Sequence, residues 1–133
     1  MQLNDDIKYV YSALISCVFF DCANGKERHR NYRYAEDDFL LLLGDIISGY
    51  PKDHESLVLA RSLFNGVWLN LINIQTQFYP SMEDMVSLIK KEASDEELQF
   101  CKDNLYSFTE HITSLLDNKG LLYSIDPIMR LFK

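Results

Sequence analysis

The sequence predicts an all-α protein, a single-domain bundle of five to six helices (residues 1–133) around a central apolar helix at about 53–78. Three observations lead to this prediction. Apolar residues recur three and four positions apart in most segments, which is the period of an amphipathic helix. Carboxylates and serines that favour helix starts precede these segments. Apart from the short stretch 121–125, no segment alternates with the period of two that a strand requires.

The first predicted helix covers residues 5–22, and Asn24-Gly25 supplies its stop signal. The second covers about 34–48 and ends at Gly49, which suits the position just after a helix. We expect one buried stripe on the first helix. It consists of Ile7, Val10, Tyr11, Leu14, Ile15, Val18 and Cys22.

The third predicted helix, about 53–78, is apolar over about half of its circumference, as expected of a helix that several others contact. Residues 62–82 carry no charge and are numerous enough to span a bilayer. Five amide side chains would make that costly, so we predict a buried central helix instead. They are Asn65, Asn70, Asn73, Gln75 and Gln77.

Three more helices are predicted in the last third of the chain. Ser81 opens one that runs to about Glu92, and the capping box Ser94-Asp-Glu-Glu97 opens the next, which Gly120 ends. Asp126-Pro127 marks the start of a short last helix. Its apolar residues, which we expect to be buried, are Ile128, Leu131 and Phe132.

Thirteen of the twenty acidic residues stand where a predicted helix begins. Carboxylates there accept hydrogen bonds from unpaired amides and lie at the positive end of the helix dipole, so their first predicted role is structural. These residues are Asp5, Asp6, Glu36, Asp37, Asp38, Asp53, Glu55, Glu83, Asp84, Asp95, Glu96, Glu97 and Asp126.

Composition argues against several classes of function. The net charge of −7 disfavours binding to nucleic acid or to an anionic membrane. Asp5 and Asp6 stand where a signal peptide would have basic residues, and Cys17, Cys22 and Cys101 are an odd set without framework spacing. We therefore expect a cytoplasmic protein with buried, reduced thiols.

No catalytic residue, metal site or cofactor is predicted. The three histidines lack metal-ligand spacing, and the sequence contains neither a Cys-x-x-Cys pair nor a Gly-rich phosphate loop. Most carboxylates already have a predicted capping role. We therefore expect a protein that is not an enzyme.

Residues 26–33 form the one basic segment. Arg28, Arg30 and Arg33 lie among tyrosines, a composition that suits contact with an anion or nucleic acid. The alternative is a solvated loop whose arginines pair with the carboxylates of 36–38. An enzymatic or RNA-binding role centred on these arginines is a third hypothesis, after the two given below.

If the predicted helices alternate up and down, the starts of the first, third and fifth lie at one end. Asp45 and Glu92 would join the carboxylates of these starts. Four lysines would offset part of the charge, leaving about −5 at that end, with the basic loop at the opposite end. They are Lys8, Lys52, Lys90 and Lys91. Such an end could steer a cationic partner. The predicted partner-binding residues are Asp53, Glu55, Asp95, Glu96 and Glu97.

These features favour a non-enzymatic, acidic protein-binding protein. Its concrete form is an immunity protein or antitoxin that neutralises a cationic, nuclease-type toxin domain by occupying the basic cleft. The alternative is a secretion chaperone or helical adaptor that holds a peptide in an apolar groove. Both hypotheses rest on features that many unrelated proteins share.

Overall fold

The computed structural model describes residues 3–48, 81–118 and 120–132. The helices of this part, numbered in chain order, are α1 (Asp5–Ala23), α2 (Tyr32–Ser48), α3 (Met82–Glu92), α4 (Asp95–Leu115) and α5 (Gly120–Leu131). These ranges contain no strand, and the stretch 121–125 lies in α5, so the all-α prediction is confirmed. The predicted central helix at about 53–78 lies outside the described residues.

Helix α1 contacts each of the other four described helices. Its predicted stripe is buried, but burial extends further, because every residue from Val10 to Phe19 is buried except the half-buried Cys17. Ser12 Oγ donates to Lys8 O at 2.6 Å and Ser16 Oγ donates to Ser12 O at 2.7 Å. Since these hydroxyls are satisfied within the helix, α1 can be buried on nearly all sides. The prediction of a single stripe was too narrow.

Helices α1 and α4 run parallel, as two pairs of contacts show. Near their starts, the backbone N–H of Asn4 donates to Glu97 Oε2 at 3.0 Å. Near their ends, Asn118 Nδ2 donates to Cys22 O at 2.9 Å. Because start meets start and end meets end, the N-terminal carboxylates of both helices lie at the same end of the bundle.

Helix α2 runs antiparallel to α4, because Asn31 just before its start donates to Leu115 O at the end of α4 at 3.0 Å, whereas Asp38 further along α2 contacts His111, which is earlier in α4. It is therefore antiparallel to α1 as well. Asp38 Oδ2 lies 2.6 Å from His111 Nε2, and the Phe39 ring stacks on Phe19 with centroids 4.2 Å apart. The same ring lies 6.4 Å from Phe108 of α4. This aromatic cluster joins three helices at one level of the core, where such pairs add about 0.5–1.5 kcal/mol each beyond area burial.

Helix α2 begins at Tyr32, two residues before the predicted start. The chain enters it through successive turns in which Lys26 N–H donates to Ala23 O, His29 N–H to Lys26 O, and Tyr32 N–H to His29 O. The first helical turn therefore contains no acidic residue. The prediction that carboxylates open this helix was wrong, because those residues lie in its second turn. They are Glu36, Asp37 and Asp38.

Helix α4 ends at Leu115, where two hydrogen bonds close a Schellman motif. Asn118 N–H donates to Thr113 O at 2.8 Å and Asp117 N–H donates to Ser114 O at 3.3 Å. Asp117 occupies the left-handed position, with φ 53°, where glycine is usual. Gly120, predicted to end this helix, instead begins α5.

The predicted start of the last helix was also wrong, because Asp126 and Pro127 lie inside α5. Asp126 pairs with Arg130 one turn later at 2.7 Å, although Pro127 removes one hydrogen bond from the ladder. Ile128 and Phe132 are buried, as predicted. Leu131, predicted to be buried, is 39% exposed.

The buried hydroxyl of Tyr11 donates to Cys101 O at 2.9 Å and ties α1 to α4. Burial raises the pKa of Tyr11 well above its usual value, so the hydroxyl stays protonated. We predict that Tyr11→Phe lowers the free energy of unfolding by about 1 kcal/mol, measured by urea titration. Tyr9→Phe is the control, since that hydroxyl makes no hydrogen bond in the described structure. Equal stability of both variants would contradict the prediction.

Candidate functional site

Exposed carboxylates converge where α1 and α4 begin and α3 ends. We call this group the acidic end and define it as Asp5, Asp6, Glu92, Asp95 and Glu96. It is held together by the contact between Asn4 and Glu97, in which Asn4 Nδ2 also donates to Glu97 Oε1 at 3.3 Å. A two-residue turn, Ala93-Ser94, brings the end of α3 to the same place.

Glu97 itself has a structural role at the centre of the acidic end. It completes a capping box with Ser94, accepting from Ser94 N–H at 3.0 Å while Ser94 Oγ accepts from Glu97 N–H at 3.2 Å. The backbone hydrogen bonds from Ser94 and then Asn4 lower the pKa of the Glu97 carboxyl. The residue is 9% exposed. Its predicted contact with a partner is therefore dropped, because both oxygens are already used inside the protein.

The acidic end keeps an excess of negative charge. Lys8 Nζ lies 2.9 Å from Asp5 Oδ1, and Lys90 and Lys91 lie in the last turn of α3. Three lysines against the five defined carboxylates and Glu97 leave a formal charge of −3. Lys8, Lys90 and Lys91 were all predicted to lie at this end. The charge of the described residues there is negative, as predicted.

One part of the predicted acidic surface is placed differently, and another lies outside the described residues. Asp45 was expected at this end, but counting helical rise along antiparallel α2 from the pair Asp38–His111 brings Asp45 only to the level of Asn104. That level is more than two turns of α4 away from Asp95. Asp53 and Glu55 lie outside the described residues. The part of the predicted site at the start of α4 is thus Asp95 and Glu96, both exposed.

The basic loop, residues 26–33, lies at the opposite end of α1, about 28 Å away by helical rise. Its His29 is fixed by two contacts: Nδ1 accepts from Asn31 N–H at 3.1 Å, and Nε2 lies 2.9 Å from Asp117 Oδ2. An accepting Nδ1 places the ring proton on Nε2, which then donates to Asp117. That hydrogen bond from His29, together with the nearby charges of Arg30 and Lys26, lowers the pKa of the Asp117 carboxyl.

The arginines of the basic loop do not pair as one interpretation of the sequence expected. Arg28, Arg30 and Arg33 are exposed, and none forms an ion pair within the described ranges. Asp38, one of the expected partners, instead contacts His111. Tyr34 beside them is 65% exposed. The loop therefore presents exposed guanidinium groups and one exposed aromatic ring, a combination that suits contact with an anion.

The cysteines are free thiols in the structure. Cys22 and Cys101 are buried, and burial raises the pKa of each thiol to about 12. Half-buried Cys17 also has a raised pKa, first through burial and then through the charge of Asp21. Thiols that remain protonated are weak nucleophiles, so none of the three suits covalent chemistry.

A groove runs over the surface between α2 and α4. The groove, of about 440 Å³, is lined by Leu41, Leu42 and Phe108 with the pair Asp38 and His111 at its rim. A separate open depression, of about 530 Å³, adjoins this groove on α4, and no described residue of α2 lines it. It is lined by Tyr106, Ser107, Glu110, His111 and Ser114. None of these residues was among the predicted site residues.

Comparisons with protein-family models, curated proteins and solved structures find no match for this chain. Among the described residues, no group of three or more His, Cys, Asp or Glu side chains is arranged to hold a metal ion. Within the same ranges, no helix combines the length and apolar character that a membrane span needs.

Removing the charge of Glu97 tests whether its hydrogen bonds to Asn4 and Ser94 stabilise the fold. We predict that Glu97→Gln lowers the free energy of unfolding at pH 7 by about 1–2 kcal/mol, because the hydrogen bonds to a carboxylate become weaker. Urea titration measures this difference. Glu96→Gln, the exposed neighbour, is the control and should change stability little.

The lowered pKa of Glu97 predicts that the stability difference between the wild type and Glu97→Gln depends on pH. The pKa of Glu97 is lower in the folded protein than in the unfolded chain. The Glu97 carboxylate therefore contributes fully to the free energy of unfolding above the unfolded-state pKa of about 4.3, and this contribution is lost as the pH falls through the lower pKa of the folded state. The stability gap between wild type and Glu97→Gln should therefore narrow below about pH 4. A gap that widens on acidification would contradict the assigned interaction.

Proposed function

We propose that this protein is a non-enzymatic binding protein for a cationic protein partner. Its concrete form is an immunity protein or antitoxin that occupies the basic cleft of a nuclease-type toxin. The observation that carries the proposal is the acidic end, where exposed carboxylates from separate helices converge. Asp5 and Asp6 come from α1, and Asp95 and Glu96 from α4.

Capping alone does not account for this arrangement. Each helix needs one or two favourable groups in its first turn, and the side chains of Asn4 and Ser94 already accept first-turn amides. Placing further carboxylates together adds repulsion between like charges. That cost is offset when a cationic surface covers the acidic end.

A nuclease cleft offers such a surface, because it must attract the phosphates of its substrate with lysine and arginine. Carboxylates at the acidic end would occupy the places of phosphates and exclude the substrate. Charge complementarity of this kind speeds association and makes affinity fall with salt. The proposed neutralisation needs no catalytic group from this chain.

The experiment is capture on the immobilised protein from an extract of its host at low salt, followed by identification and purification of the bound protein. We expect one stoichiometric partner with a basic domain. Its nuclease activity should fall as this protein is added to a 1:1 ratio, and the dissociation constant should rise with salt. Absence of a stoichiometric partner, or affinity that does not fall with salt, would contradict the proposal.

Variants locate the contact on the acidic end. Asp95→Asn combined with Glu96→Gln should weaken binding by roughly fivefold, taking about 0.5 kcal/mol for each exposed pair. The matched control is Glu83→Gln with Asp84→Asn, because these are also first-turn carboxylates but begin α3. Equal losses of binding affinity in the two double variants would contradict the assignment of the partner contact to the acidic end.

A second candidate, a helical adaptor or secretion chaperone, is favoured by the groove between α2 and α4. Its apolar lining, Leu41 with Leu42 and Phe108, would accept an apolar peptide side chain. This candidate predicts a partner whose affinity is nearly independent of salt and is lost in Leu41→Ser. The salt series in the capture experiment separates the two candidates.

The basic loop supplies a control for the third hypothesis. Combined replacement of Arg28, Arg30 and Arg33 by alanine removes three exposed cations that lie at the opposite end from the acidic end. Binding of the cationic partner should persist in this variant. Loss of binding would move the functional surface to the basic loop.

A further inference from the structure

His29 has a partner at each of its two ring nitrogens, and the contact at Nδ1 requires a neutral ring. Nδ1 accepts from the backbone N–H of Asn31 at 3.1 Å, while Nε2 lies 2.9 Å from Asp117 Oδ2. A neutral imidazole has one donor and one acceptor nitrogen, so a proton on Nε2 satisfies both contacts. The His29 side chain is only 17% exposed, which leaves water little room to replace a lost partner.

Asn31 connects this contact to the start of α2 and the end of α4. Its side-chain Nδ2 donates to Leu115 O at 3.0 Å, and its backbone O accepts from Ala35 N–H, also at 3.0 Å, in the first turn of α2. No carboxylate lies in that turn to support it. A change at His29 Nδ1 therefore reaches the first turn of α2 through the backbone of Asn31.

The charged groups near His29 belong to the basic loop, the last turn of α1, the first two turns of α2 and the cap of α4. Among those that the structure describes, Asp117 is the one that contacts the ring. Lys26 and Arg30 help to lower the pKa of the Asp117 carboxyl, which stays ionised where a histidine titrates. The change of charge at this contact is therefore that of the imidazole. The other charged groups are Asp21, Glu27, Arg28, Arg33, Glu36 and Asp37.

Protonation of His29 acts on its two contacts in opposite ways. The added proton lies on Nδ1 and faces the Asn31 N–H, so that hydrogen bond is lost and two donors oppose each other. At Nε2, the hydrogen bond to Asp117 becomes charge-assisted and therefore stronger. Acid thus breaks the contact with Asn31 and keeps the contact with the cap of α4.

We infer that His29 is a pH-sensitive switch, which fixes the turn before α2 when it is neutral and releases that turn when it is protonated. In acid the ring remains on Asp117, whereas Asn31 N–H loses its acceptor and the first turn of α2 opens more readily. The basic loop gains one cation in the same step. The inference is independent of the proposed function, because the switch requires no partner.

The test is NMR spectroscopy of the ¹⁵N-labelled protein from pH 8 to pH 5, the range in which histidine changes charge. At pH 8 the ring nitrogen shifts of His29 should show a proton on Nε2 alone. As the ring titrates, the amide signal of Asn31 should move with the same midpoint. Hydrogen-exchange protection of the Ala35 N–H, relative to its intrinsic rate at each pH, should fall about fivefold, as expected for loss of one neighbouring hydrogen bond. A proton on Nδ1 at pH 8, or an Asn31 signal that does not follow the ring, would overturn the inference.

His29→Asn is the matched variant, because asparagine Oδ1 accepts the N–H two residues later in an Asx turn but does not titrate. The Asn31 signal should then stay constant from pH 8 to pH 5, and circular dichroism checks that the fold is kept. His111→Asn is the control, since this histidine contacts Asp38 and not the turn. In that control the Asn31 signal should titrate as in the wild type. A wild-type titration curve for Asn31 in His29→Asn, or a constant signal in His111→Asn, would overturn the inference.

Discussion

The burial of α1 on nearly all sides is the constraint on which the described structure depends. A helix of this kind must be surrounded by neighbours, and α2, α3, α4 and α5 all contact it. Fully buried side chains such as Leu14 and Ile15 contribute about 1.5–3 kcal/mol each on burial. The helix tolerates polar residues inside this shell because Ser12 and Ser16 bond to its own backbone.

Because α1 and α4 are parallel, the carboxylates in their first turns gather on one part of the surface. A carboxylate in a first turn stabilises its own helix by about 0.3–1 kcal/mol. Because Asn4 meets Glu97, the first turns of two helices share one end, and their carboxylates act together there. The same pairing places the basic loop at the other end, where Asn118 meets Cys22. The described part of the protein is therefore electrically polar along α1, and the resulting field acts on a charged partner before contact.

Local signals predicted much of the fold, and contacts distant in sequence explain most of the differences. The stop at Gly25, with φ 78°, and the caps at Ser81 and Ser94 were predicted, since these depend on a few adjacent residues. The early start of α2 was not, because it depends on turns in a loop that Asn31 fastens to Leu115. At the surface, the exposed carboxylates at the starts of α1 and α4 were predicted, but the burial of Glu97 was not, because it depends on contact with Asn4, 93 residues away in the sequence. Misplaced helix-start carboxylates were Glu36, Asp37, Asp38 and Asp126.

The parallel pairing of α1 and α4 is the central claim, because the acidic end requires this pairing. Nuclear Overhauser contacts in solution test it most directly. The pairing predicts contacts from Asn4 to Glu97 and from Cys22 to Asn118, with the Tyr11 ring close to Phe100, where the ring centroids are 6.5 Å apart. Contacts that instead join the start of α1 to the end of α4 would show an antiparallel pair and contradict the account.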